Sequence, residues 1–463
     1  MCLRRLRVVL MAACALVGSA QALAEVKPNA LFTDHMVLQR DKPVKVWGTA
    51  AADEKVSVRI GEQSVDTTAK DGKWQVELKP LTAGGPHTLT IEGANKIELA
   101  NVLIGEVWIA SGQSNMQWTI KQSEDPEKVA AEARRPRIRL FTVKRDGASE
   151  PQENVEGRWD VCSPETVGDF SAVAYHFGAA LHKQLDVPIG LISTNVGGTA
   201  AQRWTPKEVL DSTAELKKYA EEKNAGDLYN AMIHPLLKFR IKGAIWYQGE
   251  SNAGEAHRYR VLFPAMIKSW RDRWDQGDFP FLFVQLAPWV PSNDPTNATW
   301  AELREAQLMT LSKSPNTAMA VITDVGDEKD IHPKPKKPVG ERLALAARAL
   351  AYGEKIEYSG PIFESLTTSG ERAILRFKHA GEGLEVRGEK LTGFAVAGED
   401  KKFHNAEAKI EGDTVIVSSS EVNAPLAVRF GWANYPAVNL WNKNGLPGSP
   451  FRTDSWPGVT EGK

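Results

Sequence analysis

Between Gly105 and Ala351, six apolar runs alternate with segments of helical spacing, and this alternation limits the fold more than any other property of the chain. The runs are VWIAS, IRLFTV, PIGLIST, GAIWYQG, FLFVQLA and AMAVITDVG. They are apolar on successive positions, as strands buried on both faces must be. SAVAYHFGAALHKQL, RYRVLFPAMIKSWRDRW, WAELREAQLMTL and VGERLALAARALAYG carry apolar residues three and four apart, the spacing of a helix with one buried face. Parallel strands need long crossovers, usually helical, whereas antiparallel ones need only turns. The segment therefore predicts an α/β fold with a doubly wound, mostly parallel sheet of flavodoxin-like plan. Ligands of such sheets bind outside the carboxyl ends of the strands.

On either side the pattern changes to strands alone. HMVLQ, PVKVWG, KVSVRI, KWQVELK and HTLTIEG, separated by Asp-Gly and Gly-Gly-Pro turns, predict an N-terminal β-sandwich over residues 25–103. RAILRFK, GLEVRG, FAVAG, DTVIVSS and LAVRFGW predict a C-terminal β domain over 357–463, which leaves 104–356 for the α/β domain. A chain of 463 residues is long enough for three such units.

Residues 1–24 read differently again. Three arginines precede an apolar run that ends on Ala22-Leu23-Ala24, the pattern of a secretory signal peptide, so the mature protein is expected in the periplasm or outside the cell. The apolar run is too short for a membrane anchor. Its removal would take the net charge from −1 to −4, which offers no electrostatic footprint for nucleic acid or an anionic membrane. It would also leave Cys162 as the sole cysteine, reading as a small buried hydrophobe.

Polar residues crowd the ends of four predicted strands. SGQSNM follows the first, with Ser111 and Ser114 both able to act as a nucleophile or as turn and cap residues. Met116 stands where a nucleophile elbow would need its second glycine. Gly197-Gly198-Thr199 follows another strand and could bring bare backbone N–H groups to an oxyanion. Gln248, Glu250, Ser251 and Asn252 crowd the end of a third. Asp324, Asp327, Asp330 and His332 follow the last, with an acid two residues before an imidazole. Calcium and zinc are weaker readings of this cluster, which lacks both an EF-hand spacing and paired His or Cys. One parallel sheet would gather all four clusters on one edge, where they make the parts list of a serine esterase. The competing class is a sugar-binding protein on a degenerate hydrolase fold.

GEVWIASGQSNM, VGGT, IWYQGESNA, FPFLFVQLA, WAELREAQ and GDEKDIHPKPKKPVGERLAL, in this order, resemble the sialate O-acetylesterase family of SGNH hydrolases. LFTDHMVLQRDKPVKVWG and VRFGWANYPAVNLWNKNGLPGSPFRTD extend the resemblance over nearly the whole mature chain. The resemblance implies Ser114 as nucleophile, His332 as base, and oxyanion donors from Ser114, Gly197 or Gly198, and Gln248, with Gln113 and Asn252 lining the site. The position three before His332, where the family's acid usually stands, is Lys329, so Asp330 and Glu250 compete for that role. Neither metal nor organic cofactor is implied. The substrate implied is an acetylated sugar, either a sialic acid or a plant glycan such as xylan. Trp118 and Trp204 follow the site loops closely and could stack on sugar rings, although core packing is the commoner use of tryptophan. Arg203 and Lys207 are the candidate partners of a sialate carboxylate.

Overall fold

The computed structural model describes residues 25–463; the expected signal peptide, with Cys2 and Cys14, lies outside the described residues. Six strands form the parallel core: β1 (Lys96–Gly112), β2 (Ile138–Thr142), β3 (Ile189–Asn195), β4 (Gly243–Tyr247), β5 (Phe281–Val284) and β6 (Thr317–Ala320). Their spatial order is β2-β3-β1-β4-β5-β6, with Trp159–Val161 added antiparallel beside β2. The helices that build the site and cover the sheet are α1 (Ser114–Gln117), α2 (Ala172–Leu185), α3 (Ala256–Trp274), α4 (Thr299–Lys313) and α5 (Lys337–Tyr352), alongside other short ones. Trp108 packs its ring on Phe177 of α2, and Trp246 packs on Phe263 and Trp270 of α3. Trp246 is in register with Ser111, three residues from Trp108, so the two tryptophans face opposite sides of the sheet. Helices therefore cover both faces, as expected of a doubly wound fold.

β1 is the structural joint. Its first half is alternately exposed and pairs antiparallel with Gly84–Glu92 of the N-terminal region. From Val102 to Gly112 it is buried throughout and pairs in parallel with Val37–Gln39, β3 and β4. The expected boundary at 103/104 thus falls inside a continuous 17-residue strand. The hydrophobic core is likewise continuous across it. Phe32 and Trp47 of the N-terminal region pack edge to face at 4.8 Å and both approach Phe239.

At the other end α5 stops at Tyr352, where Gly353 takes a left-handed cap, and the next strand begins at Ile362. The C-terminal region holds two four-stranded sheets and a two-stranded one. Its core, which includes Leu375, Val396, Val415, Phe430 and Phe451, is separate from the first.

Candidate active site

β1 ends at Gly112, whose φ of +138° suits glycine, and a Cβ there would stand 2.1 Å from the carbonyl oxygen of Tyr247. The close approach lets Gln113 donate its N–H to that same oxygen at 2.9 Å. One turn of helix, α1, then starts at Ser114, whose side chain is half-buried at the carboxyl edge. Gln113, expected along the site wall, is instead buried: its Oε1 accepts the N–H groups of Gly249 and Ser251. Ser111, open to a nucleophile's or a turn residue's role by its sequence, lies within β1, and its buried Oγ finds no partner.

The loop after β3 brings Gly197 against Ser114. A Cβ on Gly197 would lie 3.4 Å from Ser114 Cβ and 3.3 Å from Gln117 Oε1, so the glycine backbone packs close against both. The Gly197 N–H donates to Gln117 Oε1 at 2.7 Å. Gly198 takes a left-handed φ of +69° with open space around it.

Gln248 and Asn252 sit beneath these loops. The Gln248 amide donates to Thr199 O at 3.2 Å and to Asn252 Oδ1 at 2.7 Å, while its oxygen accepts from the Tyr259 hydroxyl at 3.0 Å. Asn252 Oδ1 also accepts the Ala201 N–H, and its amide donates to Gln202. Both side chains are buried and satisfied by this network. The donor expected of Gln248 is therefore already spent; the residue braces the Gly197 loop, and a sequence cannot tell which way an amide points.

His332 reaches the site through Trp118. The two rings stack at 4.4 Å with an interplanar angle of 12°. Asn115, next to Ser114, donates to the Ile331 carbonyl at 3.0 Å. The α1 turn that begins with Ser114 and the loop of His332 are thus linked by these two contacts; no direct hydrogen bond joins the two side chains among the described residues. Asp330 Oδ1 accepts the His332 backbone N–H at 2.8 Å and lies 3.7 Å from Nδ1, ion-pair distance but beyond a hydrogen bond. Burial and the nearby Lys336 lower the imidazole pKa, and Asp330 opposes them.

Glu250 does not reach the imidazole. Its Oε1 accepts from Asn115 Nδ2 at 2.6 Å, and its buried Oε2 has no partner. Asn115 Oδ1 in turn accepts from Lys336 Nζ at 2.5 Å. Burial raises the Glu250 pKa and pushes Lys336 down to about 7. Sequence reasoning singled out neither Asn115 nor Lys336. Adjacency to Ser114 was the available signal for the first, and a position four residues after His332 for the second.

The remaining candidates are accounted for locally. Trp204 is fully buried against Trp246. The Arg203 guanidinium is held by both carboxylate oxygens of Asp227, at 2.9 and 2.6 Å. Cys162 is buried, which pushes its thiol up to about 12. Among the described residues no three His, Cys, Asp or Glu side chains gather as a metal site.

A doubly wound sheet whose carboxyl edge gathers a serine, a bare glycine backbone and a histidine is the frame of an α/β hydrolytic enzyme. Residues 104–349 match the family model of sialic acid-specific acetylesterases, which are carbohydrate esterases. The chain is 30% identical to human sialate O-acetylesterase, over 92% of this chain and 93% of that one. It is 29% identical to the rat sialate O-acetylesterase, over 90% and 92%. The solved structure of a carbohydrate acetylesterase from Xanthomonas citri is similar at a TM-score of 0.89 and 42% identity, covering 93% of this chain and 100% of that one. The chain therefore belongs to the sialic acid-specific acetylesterase family and is a carbohydrate esterase, as its motifs led us to expect.

Proposed function

We propose that this esterase removes O-acetyl groups from sugars through an acetyl-Ser114 intermediate. His332 takes the Ser114 proton as the hydroxyl attacks the acetyl carbonyl, then returns it to the departing sugar oxygen. Water attacks the acetyl-enzyme and His332 serves again as base. The observation that carries this reading is the Trp118–His332 stack, which holds the imidazole beside the helical turn that begins with Ser114. Asp330, at 3.7 Å, is better placed than Glu250 to steady the imidazolium.

The backbone N–H groups of Ser114 and Gly197 would receive the oxyanion. Gln117 Oε1 now accepts the Gly197 N–H, so an amide oxygen stands where the oxyanion would form. Substrate displaces it. Losing one such donor costs roughly 3–4 kcal/mol of barrier in other acyl-transfer sites.

Acetylated sialic acids are the first substrate reading, on the family relationship. Acetylated neutral glycans such as xylan are the second, because Arg203 is committed to Asp227 rather than free for a carboxylate. Export to the periplasm or beyond belongs to the same proposal and rests on the pattern of residues 1–24; no helix of the described residues is long and apolar enough to cross a membrane. Acetate release measured across acetylated sialic acids, acetyl-xylan and acetylated hexosamines tests the reading. We expect turnover of at least one class and none by Ser114→Ala; turnover by a folded Ser114→Ala protein contradicts it.

A further inference from the structure

Lys336 lies in the run Lys334-Pro335-Lys336-Lys337, which reads as a solvated stretch, yet it is only 1% exposed. A buried ammonium is costly unless it is held or put to use. Its Nζ is hydrogen-bonded to Asn115 Oδ1 and stands over two rings, Trp118 at 5.9 Å and Tyr247 at 5.8 Å. The Trp118 indole is the one on which His332 stacks. Asn115 also binds Glu250 and the Ile331 carbonyl, so one amide joins the Ser114 turn, the Glu250 turn and the His332 loop.

We propose that Lys336 is a positioning residue of this site: held by Asn115 beneath Trp118, its buried charge keeps the His332 imidazole neutral and ready to accept a proton. The inference rests on the esterase reading of Ser114 and His332. A neighbouring cation disfavours the imidazolium, so the base stays free as the medium becomes acidic. The same repulsion makes the imidazolium, once formed, a stronger acid toward the departing sugar oxygen.

The other charges around the pair do not replace this effect. Glu250 and Asp330 favour the Lys336 ammonium, and Asp330 also favours the imidazolium. Lys336 borders a cavity on its other side. There the acids Glu124, Asp125, Glu132 and Glu341 face the bases Lys128, Arg135, Lys183 and Lys337, with His176 neutral through burial. Four acids against four bases leave little net field. Burial pushes Lys336 down to about 7, so its charge is present below that pH, where His332 titrates, and fades above it. Burial already lowers the pH at which His332 protonates, and Lys336 lowers it further, so activity survives acidification further with Lys336 in place than without it.

The experiment is a histidine titration by NMR with 13C-labelled imidazoles, His332 being assigned from the spectrum of His332→Asn. We expect the His332 midpoint below its ordinary value in the wild type, through burial and Lys336, and higher in Lys336→Met, where only burial remains. Lys336→Arg, which keeps the charge, should stay near the wild type. Lys336→Gln, which can still donate to Asn115, should follow the methionine variant and serves if that one fails to fold. The acid limb of kcat/KM for p-nitrophenyl acetate should move in parallel. A purely structural lysine would leave the His332 midpoint unmoved in Lys336→Met and Lys336→Gln, and that result overturns the proposal. The titration needs no turnover, so a wild type that hydrolyses no ester defeats the functional reading alone.

Discussion

The two β regions flank the same sheet but join it by different physics. The N-terminal region is fused to it: β1 belongs to both, their core is continuous, and Phe32 and Trp47 meet Phe239 across the joint. The C-terminal region has its own core, against which Leu308 of α4 packs, and is tied to α4 mainly by buried polar groups. Arg304 of α4, fully buried, donates to the carbonyls of Leu286, Ala433 and Asn434. Glu302 accepts N–H groups from Val459 and Thr460, and Glu305 pairs with Arg260 and Arg452. Apolar contact is tolerant of direction, whereas hydrogen bonds to buried carbonyls are not. The first joint makes the region inseparable; the second fixes one orientation of a region that folds around its own core.

The largest effect should come from the fused joint. A Cβ at Gly105, midway along β1, would stand 2.0 Å from the Pro188 carbonyl oxygen. Gly105→Val should cost on the order of 4 kcal/mol or more. Urea unfolding should then show the N-terminal region and the parallel sheet lost together; an N-terminal region that melts separately would break the comparison.

Arg304→Met should come next, at about 2–4 kcal/mol, because the three carbonyls lose a buried donor. The loss should be confined to the polar joint. It should show as faster proteolysis in the 353–361 connector and a second unfolding transition. A single transition with unchanged proteolysis would mean that the C-terminal region is as fused as the other.

Glu305→Gln should be the mildest, about 1 kcal/mol, since it weakens two ion pairs that keep some access to solvent. Its effect on proteolysis of the connector should have the same sign as that of Arg304→Met and be smaller. The opposite order would show that the ion pairs, rather than the arginine–carbonyl bonds, hold the joint.

The contrast also explains what the sequence could reveal. The parallel sheet was legible because burial on both faces leaves apolar runs, and the edge clusters because strand ends of such a sheet converge. The joint at β1 is not: the pattern marks strands at HTLTIEG and VWIAS and none over the half-exposed Lys96–Asn101, so one continuous strand reads as a boundary. The chemistry of the edge was legible by residue type and illegible by direction. Ser114 and His332 stand out by residue type and take their roles from the family resemblance, while Gln248, expected as a donor, and Gln113, expected along the site wall, turn inward to brace loops. Lys336 was hidden for the converse reason, since a lysine among lysines and prolines reads as surface.

The central claim is that Ser114 is the nucleophile, and covalent labelling tests it most directly. The wild-type protein treated with a fluorophosphonate should gain one label by intact mass, mapped by peptide sequencing to Ser114, and His332→Asn should label far more slowly. Ser114→Ala should gain none. A wild type left unlabelled, or a label that persists in folded Ser114→Ala, would contradict the account.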